Sequence, residues 1–197
     1  VFFFDWEYYH NHLLEIPYIW QGGMAIQGGI IFACIAAYFY LKKHQIPVLP
    51  FADTVTPGII LGQAIGRIAN FMNGDAFGHP TGQDFGLLYP DTTLAYHTYG
   101  AQPLWPAEVW ECQGDLLIFV LLLWYGCKTR AEGTTFCLYI MFYSLLRFFL
   151  ENYRGDYGTL ALGLKSAQLT SLAAFAGAFI LFLYFHFKHK SKSGISE

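Results

Sequence analysis

The sequence predicts an all-α, polytopic membrane helical bundle of about five spans, capped on one side by a long outer loop. Three observations carry that prediction. Of 197 residues, 55% are hydrophobic and only 13% are charged, about half the roughly 25% charge of a soluble domain, and mean hydropathy is +0.36. Five stretches approach the ~20 mostly apolar residues that cross a bilayer as a helix. Seven of the eleven Lys and Arg residues follow alternate stretches, as an up-and-down bundle with basic cytoplasmic loops requires.

The first stretch, "MAIQGGIIFACIAAYFYL" (24–41), is followed by Lys42 and Lys43. The second, 51–71, has Gly58, Gly62 and Gly66 four apart on one helix face, which predicts close approach of a neighbouring helix. Gly74 and Gly78 continue the phase beyond the helix, where a glycine permits a turn or a close ligand approach. The connection 72–107 is rich in Gly, Pro, Tyr and Thr. Its length is typical of functional or disordered loops, and its aromatics (Phe77, Phe85, Tyr89, Tyr96, Tyr99, Trp105) suit an interfacial cap. The third stretch, 109–126, leads to Lys128 and Arg130. The fourth, 134–153, ends in "LLRFFLENY". The fifth, 166–187, is the clearest span and runs into Lys188, Lys190 and Lys192. The opposite connections, 72–107 and 154–165, hold only Arg154 and Lys165. Residues 5–22 are therefore expected outside and the C-terminus in the cytoplasm.

No repeat or linker divides the chain, so a single membrane-embedded domain is expected over 1–197. "VFFFDWEYY" has no basic n-region or cleavage site and is no signal peptide. Residues 1–4 read as the tail of an apolar segment, so the sequence is expected to be truncated at its N-terminus.

Several functions are excluded by what the chain lacks. A net charge of −3 gives no basic field for nucleic acid, and no basic recognition motif is present. Cys34, Cys112, Cys127 and Cys137 are scattered without CxxC or metal-ligand spacing and read as small packing residues. There is no Gly-x-Ser-x-Gly, HExxH or Walker pattern, so no metal or cofactor is expected. His44, His186 and His189 fall at cytoplasmic ends, His10 and His12 flank Asn11, and His79 and His97 are loop residues; surface roles suit all seven.

The chemistry concentrates in "GRIANFMNGDAFGHPTG" (66–82), which closes an apolar stretch with Arg67, Asn70, Asn73 and Asp75. Arg67 and Asn70, three apart, share a helix face, as do Arg147 and Glu151, four apart. An arginine at bilayer depth costs about 2.5–3.5 kcal/mol on insertion scales. Mutual neutralisation accounts for Arg147 and Glu151 as well as function does, but Arg67 has no acid one turn away. Two arginines near one outer face point to an anionic ligand, and phospholipid phosphate is the anion at that depth, matched by a bidentate guanidinium. Glu111 and Asp115, four apart in "PAEVWECQGD", either orient such arginines or pack as neutral acids.

These segments together resemble the prolipoprotein diacylglyceryl transferase family. "GRIANFMNGDAFGHPT" is similar to the family signature GRxxNFxNxExxGxxT, and "WQGGMAIQGGI" (20–30) to its (W/E)GGxxxHGGL segment. "PAEVWE" (106–111) is similar to HPxxLYE, and "LLRFFLENYRGD" (145–156) to RFxxExxR. The four occur in family order across most of the chain. The resemblance implies a seven-helix membrane enzyme, five of whose spans lie here. It implies transfer of diacylglyceryl from phosphatidylglycerol to the lipobox cysteine thiol of a prolipoprotein, with glycerol phosphate released. By position it implies roles for Arg67, Asn70, Asn73, Gly78, Arg147, Glu151 and Arg154.

Two positions depart from the pattern. Asp75 stands where the family often has Glu, and Gln27 where many members have His. Glutamine cannot act as a base at neutral pH. The deficit is small, because full deprotonation of a thiol of pKa ~8.5 is worth only ~2 kcal/mol at neutral pH. Removing one preorganised donor from a developing anion costs about 2.7–4 kcal/mol. The arginines therefore matter more than the base. The expected mechanism has Arg67 and Arg147 clamping the phosphate, with Asn70, Asn73 and Gln27 positioning the headgroup. Asp75 or Glu151 orients an arginine or takes the thiol proton, and Gly28 and Gly29 allow close lipid approach. A transferase for another lipid phosphate is the alternative enzyme, but it would commonly show an Asp-rich metal motif. A phospholipid transporter would favour two related halves with broken helices, and neither feature is visible.

Overall fold

A computed structural model describes residues 11–12, 26–127, 131–155 and 164–193. The described residues form six helices: α1 (Ile26–Lys43), α2 (Val48–Asn73), α3 (Leu94–Tyr99), α4 (Ala107–Gly126), α5 (Thr134–Leu150) and α6 (Ser166–Ser193), with a 3-10 turn at Glu151–Tyr153. Among these residues there is no strand, only isolated bridges. Val48–Asn73, Thr134–Tyr153 and Ser166–Lys188 are each long and apolar enough to cross a membrane. The other two expected spans, α1 and α4, are helices of 18 and 20 residues outside that set. This is a helical membrane protein. Residues 5–10 and 13–22, expected outside, lie beyond the described residues.

By internal packing the chain forms two compact units, Val1–Val48 and Leu49–Glu197. In the first, α1 ends in a Schellman motif: Ile46 donates to the Leu41 carbonyl at 2.9 Å and Gln45 to Lys42 at 3.2 Å. Gln45 takes the left-handed φ of +55° that the motif demands. Lys42 and Lys43 occupy the last turn, where cations complement the helix dipole.

In the second unit, α5 packs against both α4 and α6. Ile60, Ile118 and Leu122 make its buried centre, with Phe119, Leu138, Tyr139, Tyr143 and Leu146 around them. The buried face of α2 is Asp53, Thr56, Ile60 and Ala64, spaced three and four apart as one helix face requires. Gly58, Gly62 and Gly66 lie two residues off that face, about 200° round the helix. Nothing among the described residues comes within 4 Å of a Cβ built on them. Among the described residues of the second unit, no helix makes the close approach expected of this glycine stripe. Cys34 and Cys127 are likewise exposed, and of the four cysteines only Cys137 is fully buried.

Pro57 sits inside α2 and leaves the carbonyl of Asp53 without its helical donor. The Asp53 side chain turns to α5 instead, accepting from the amides of Gly133 at 2.8 Å and Phe136 at 2.9 Å. Gly133, the N-cap, has φ +86° and offers no side chain. Asp53 therefore caps α5 from another helix and satisfies two orphan donors.

The apolar surface faces outward. Only 22%, 33% and 11% of the apolar windows of α2, α5 and α6 are buried. Ile65, Met72, Leu117, Trp124, Phe149 and Ile180 are all exposed. Against water such surface costs about 25 cal/mol per Å²; against acyl chains it costs nothing.

The loop after α2 is an ordered cap. Phe77, Ala95 and Leu104 form its own small core, packed by Tyr89 and Tyr99. Thr93 caps α3, accepting from the Tyr96 amide at 3.4 Å. Bridges Leu87–Leu104 and Pro80–Leu104 close the loop on itself.

Candidate active site

The site is built where α2, α4 and α5 present their ends to the cap. α2 stops at Gly74, whose φ of +68° makes a second Schellman motif: Asp75 donates to the Asn70 carbonyl at 3.1 Å and Gly74 to Phe71 at 3.3 Å. A Cβ on Gly74 would lie 2.5 Å from that of Thr93, so glycine is demanded twice. The reversal folds Asp75 back over the last turn, and the Asn70 amide donates to its carboxylate. Arg67, one turn earlier, donates to the Asn70 Oδ1 at 3.1 Å. Arg67, Asn70 and Asp75 thus form one chain of hydrogen bonds, with Asn70 between the two charges.

Glu111 is the hub. It is fully buried in the second turn of α4. Its carboxylate receives Arg67 Nη2 at 2.8 Å, Arg147 Nη1 at 3.4 Å and Arg154 Nη1 at 3.5 Å. The Tyr143 hydroxyl donates to Oε1 at 3.3 Å. Arg147 Nη2 pairs with Glu151 at 2.8 Å. Lys165 Nζ stands 3.9 Å from the other Glu151 oxygen. Among the described residues, four cations touch these two carboxylates.

The arginines differ in access. The side chain of Arg67 is 20% exposed and that of Arg147 15%, whereas Arg154 is 5% exposed. Arg67 lines a cavity of about 400 Å³ with Ile68, Phe71, Leu87, Val109, Cys112 and Gln113. Arg147 lines a second, of about 330 Å³, between α5 and α6. The two arginines therefore open on different cavities and share the carboxylate of Glu111.

The cap holds Arg154. Gly78 bridges to it, His79 donates to the Tyr153 carbonyl at 2.9 Å, and Gly155 donates to that of Phe77 at 3.2 Å. The Tyr99 hydroxyl donates to the Gly155 carbonyl at 2.9 Å. A Cβ on Gly78 would lie 2.2 Å from the Trp105 carbonyl oxygen. The close approach for which Gly78 is needed is to protein backbone, which occupies the space a ligand was expected to take. Beside it Trp105, Trp110 and Tyr153 meet ring to ring, with centroids 5.3–5.6 Å apart.

Of the residues singled out in the sequence, Arg67, Asn70, Asp75, Glu111, Arg147, Glu151 and Arg154 come together. Asn73 is exposed at the end of α2. Gly28 and Gly29 lie on α1 in the first unit with open space at their Cβ positions. The Gln27 side chain lies outside the described residues. Asp115 is buried on α4, and among the described residues neither of its oxygens has a hydrogen-bond partner; the same holds for Glu108. Sequence reading missed Tyr143, although it stands four residues before Arg147 and so shares its face. It also assigned no role to Lys165, which was counted only among the few basic residues of the outer connections.

Comparisons with known proteins place the chain in a family. The family model for prolipoprotein diacylglyceryl transferase matches residues 1–184. A protein of Geobacillus kaustophilus named phosphatidylglycerol–prolipoprotein diacylglyceryl transferase is 39% identical over 171 residues, covering 86% of this chain and 63% of the relative. A Clostridioides difficile protein of the same name is 37% identical over 195 residues, covering 98% of this chain and 73% of the relative. One from Nostoc is 38% identical over 180 residues, covering 88% and 63%. The chain thus spans less than two thirds of several of the curated relatives it matches. With the matched model covering nearly all of its length, this chain belongs to the prolipoprotein diacylglyceryl transferase family.

Proposed function

We propose that the protein transfers the diacylglyceryl group of phosphatidylglycerol to the lipobox cysteine thiol of a bacterial prolipoprotein, within one membrane-embedded domain. It works in the cytoplasmic membrane with its cap outside and its C-terminus in the cytoplasm. The names of its relatives supply the substrates. The observation that carries the reading is the gathering of Arg67, Arg147 and Arg154 on the one buried carboxylate of Glu111.

The chemistry is a substitution. The thiol sulfur forms a bond to the glycerol carbon of the diacylglyceryl group, the carbon–oxygen bond to phosphate breaks, and its electron pair leaves on glycerol phosphate. Charge grows on that phosphate as the bond breaks. Preorganised guanidinium donors aimed at a developing anion give the largest single gain in such a step. Glu111 and Glu151 hold the arginines in place before substrate arrives, so little reorganisation is needed. Asn70 sets the headgroup beside Arg67. Asp75, which forms no ion pair among the described residues, takes the thiol proton. Asn73, exposed at the end of α2, contacts the lipid headgroup.

The test is direct. Membranes containing the full-length protein, given labelled phosphatidylglycerol and a lipobox peptide, should yield a thioether-linked diacylglyceryl peptide and free glycerol phosphate. Lipid movement across the membrane without a covalent product would establish a transporter instead.

A further inference from the structure

The last carbonyls of a helix have no partners within it, and α5 ends where the site needs precision. Between Arg147 and Arg154 the backbone passes from α-helix through a 3-10 turn to extended structure. Two side chains at the start of α6 hold that passage. Lys165 Nζ donates to the carbonyls of Glu151 at 2.8 Å and Arg154 at 2.6 Å, and faces the Glu151 carboxylate at 3.9 Å. Gln168, buried, accepts from the Lys165 amide at 3.0 Å. Its Nε2 donates to the Asn152 side chain at 3.0 Å and to the Phe148 carbonyl at 3.4 Å.

We propose that Lys165 is a positioning residue for the arginine cluster, its ammonium fixing the backbone at Glu151 and Arg154 and sharing the Glu151 carboxylate with Arg147. This rests on the transferase reading of the cluster. An ammonium suits the task because it offers three donors from one compact centre. Two of them fix the backbone on which Glu151 and Arg154 are mounted. The charge itself serves a second end. Glu151 lies between Arg147 and Lys165, so part of its field is spent on the lysine and more of the Arg147 charge remains for a phosphate. Lys165 is thereby a cation that touches no substrate yet sets how strongly Arg147 does.

Two variants of the full-length protein test this in the transfer assay. Lys165→Met should lower kcat/KM by about 10- to 100-fold, the range lost with a hydrogen bond to a charged group. Lys165→His restores a cation only as its imidazole protonates, near pH ~6.5 when unperturbed. Among the described residues, the charged groups facing that position are Glu151, with Arg147 and Arg154 beyond it. Its activity relative to wild type should rise as pH falls from 7.5 to 5.5 by about the fraction protonated. Retention of more than half the wild-type kcat/KM by Lys165→Met would overturn the proposal. So would a Lys165→His profile parallel to wild type, which a purely structural lysine predicts. Should Lys165→Met fail to accumulate, Lys165→His compared with itself across pH carries the test alone. Absence of thioether product from the unaltered protein would overturn the transferase reading, a separate outcome.

Discussion

Single side chains decide the chemistry, and charge alone is not what they supply. Arg67 reaches Glu111 and Asn70 with two different nitrogens, a fork that lysine cannot reproduce. Arg67→Lys should therefore abolish transfer, by about 10²–10³-fold or more if it acts as one preorganised donor, while the protein stays in the membrane. Full activity in that variant would contradict a phosphate-binding role for Arg67. Glu111→Gln keeps the shape and removes the charge that gathers three guanidiniums. A transfer rate within twofold of wild type would show that the hub is dispensable; we expect a loss as large as that of Arg67→Lys. Arg67, Asn70, Asp75, Arg147 and Glu151 were legible in the sequence because polar groups in apolar stretches are costly and their helical spacing gave shared faces. That Glu111 accepts from all three arginines was not legible. It joins side chains 44, 36 and 43 residues apart, and no local pattern encodes such distances.

The helices and their ends determine how well those side chains are held. Asp53 caps α5 at the end of the bundle remote from the arginines. Asp53→Ala should cost about 0.5–2 kcal/mol of stability, the usual range for a lost cap, read as a lower thermal midpoint in detergent with activity per folded molecule preserved. Gly78 acts in the opposite sense. Gly78→Ala puts a Cβ 2.2 Å from the Trp105 carbonyl oxygen, so the strand-like bridge to Arg154 must shift. Transfer should fall at least as much as folding does, and a variant as active as wild type would show that the bridge does not position Arg154. The helices themselves were readable from apolar length. The cap was readable only as an aromatic-rich loop, because Phe77, Ala95 and Leu104 form a core without the periodicity that marks one. The glycine stripe of α2 has no close neighbour among the described residues of its unit; GxxxG spacing identifies a face and says nothing about whether a partner covers it.

The second unit turns apolar helix faces outward and gathers its arginines at one end of its helices. A tag inserted at exposed Asp91 in the cap should react with a membrane-impermeant probe on intact spheroplasts. A tag fused after Glu197 should react only after permeabilisation. The reverse pattern would overturn the orientation drawn from Lys and Arg placement. From sequence came the all-helical membrane class, the five long helices, the polar end and the family, because each follows from composition, periodicity or linear motif. Tertiary structure alone decided which carboxylate gathers the arginines, that Arg67 and Arg147 open on separate cavities, and that a lysine just ahead of α6 reaches the carbonyls of Glu151 and Arg154. The physical reason is range. Burial and helical phase act between neighbours in the chain, whereas a buried charge finds its partners only once the helices have been brought side by side.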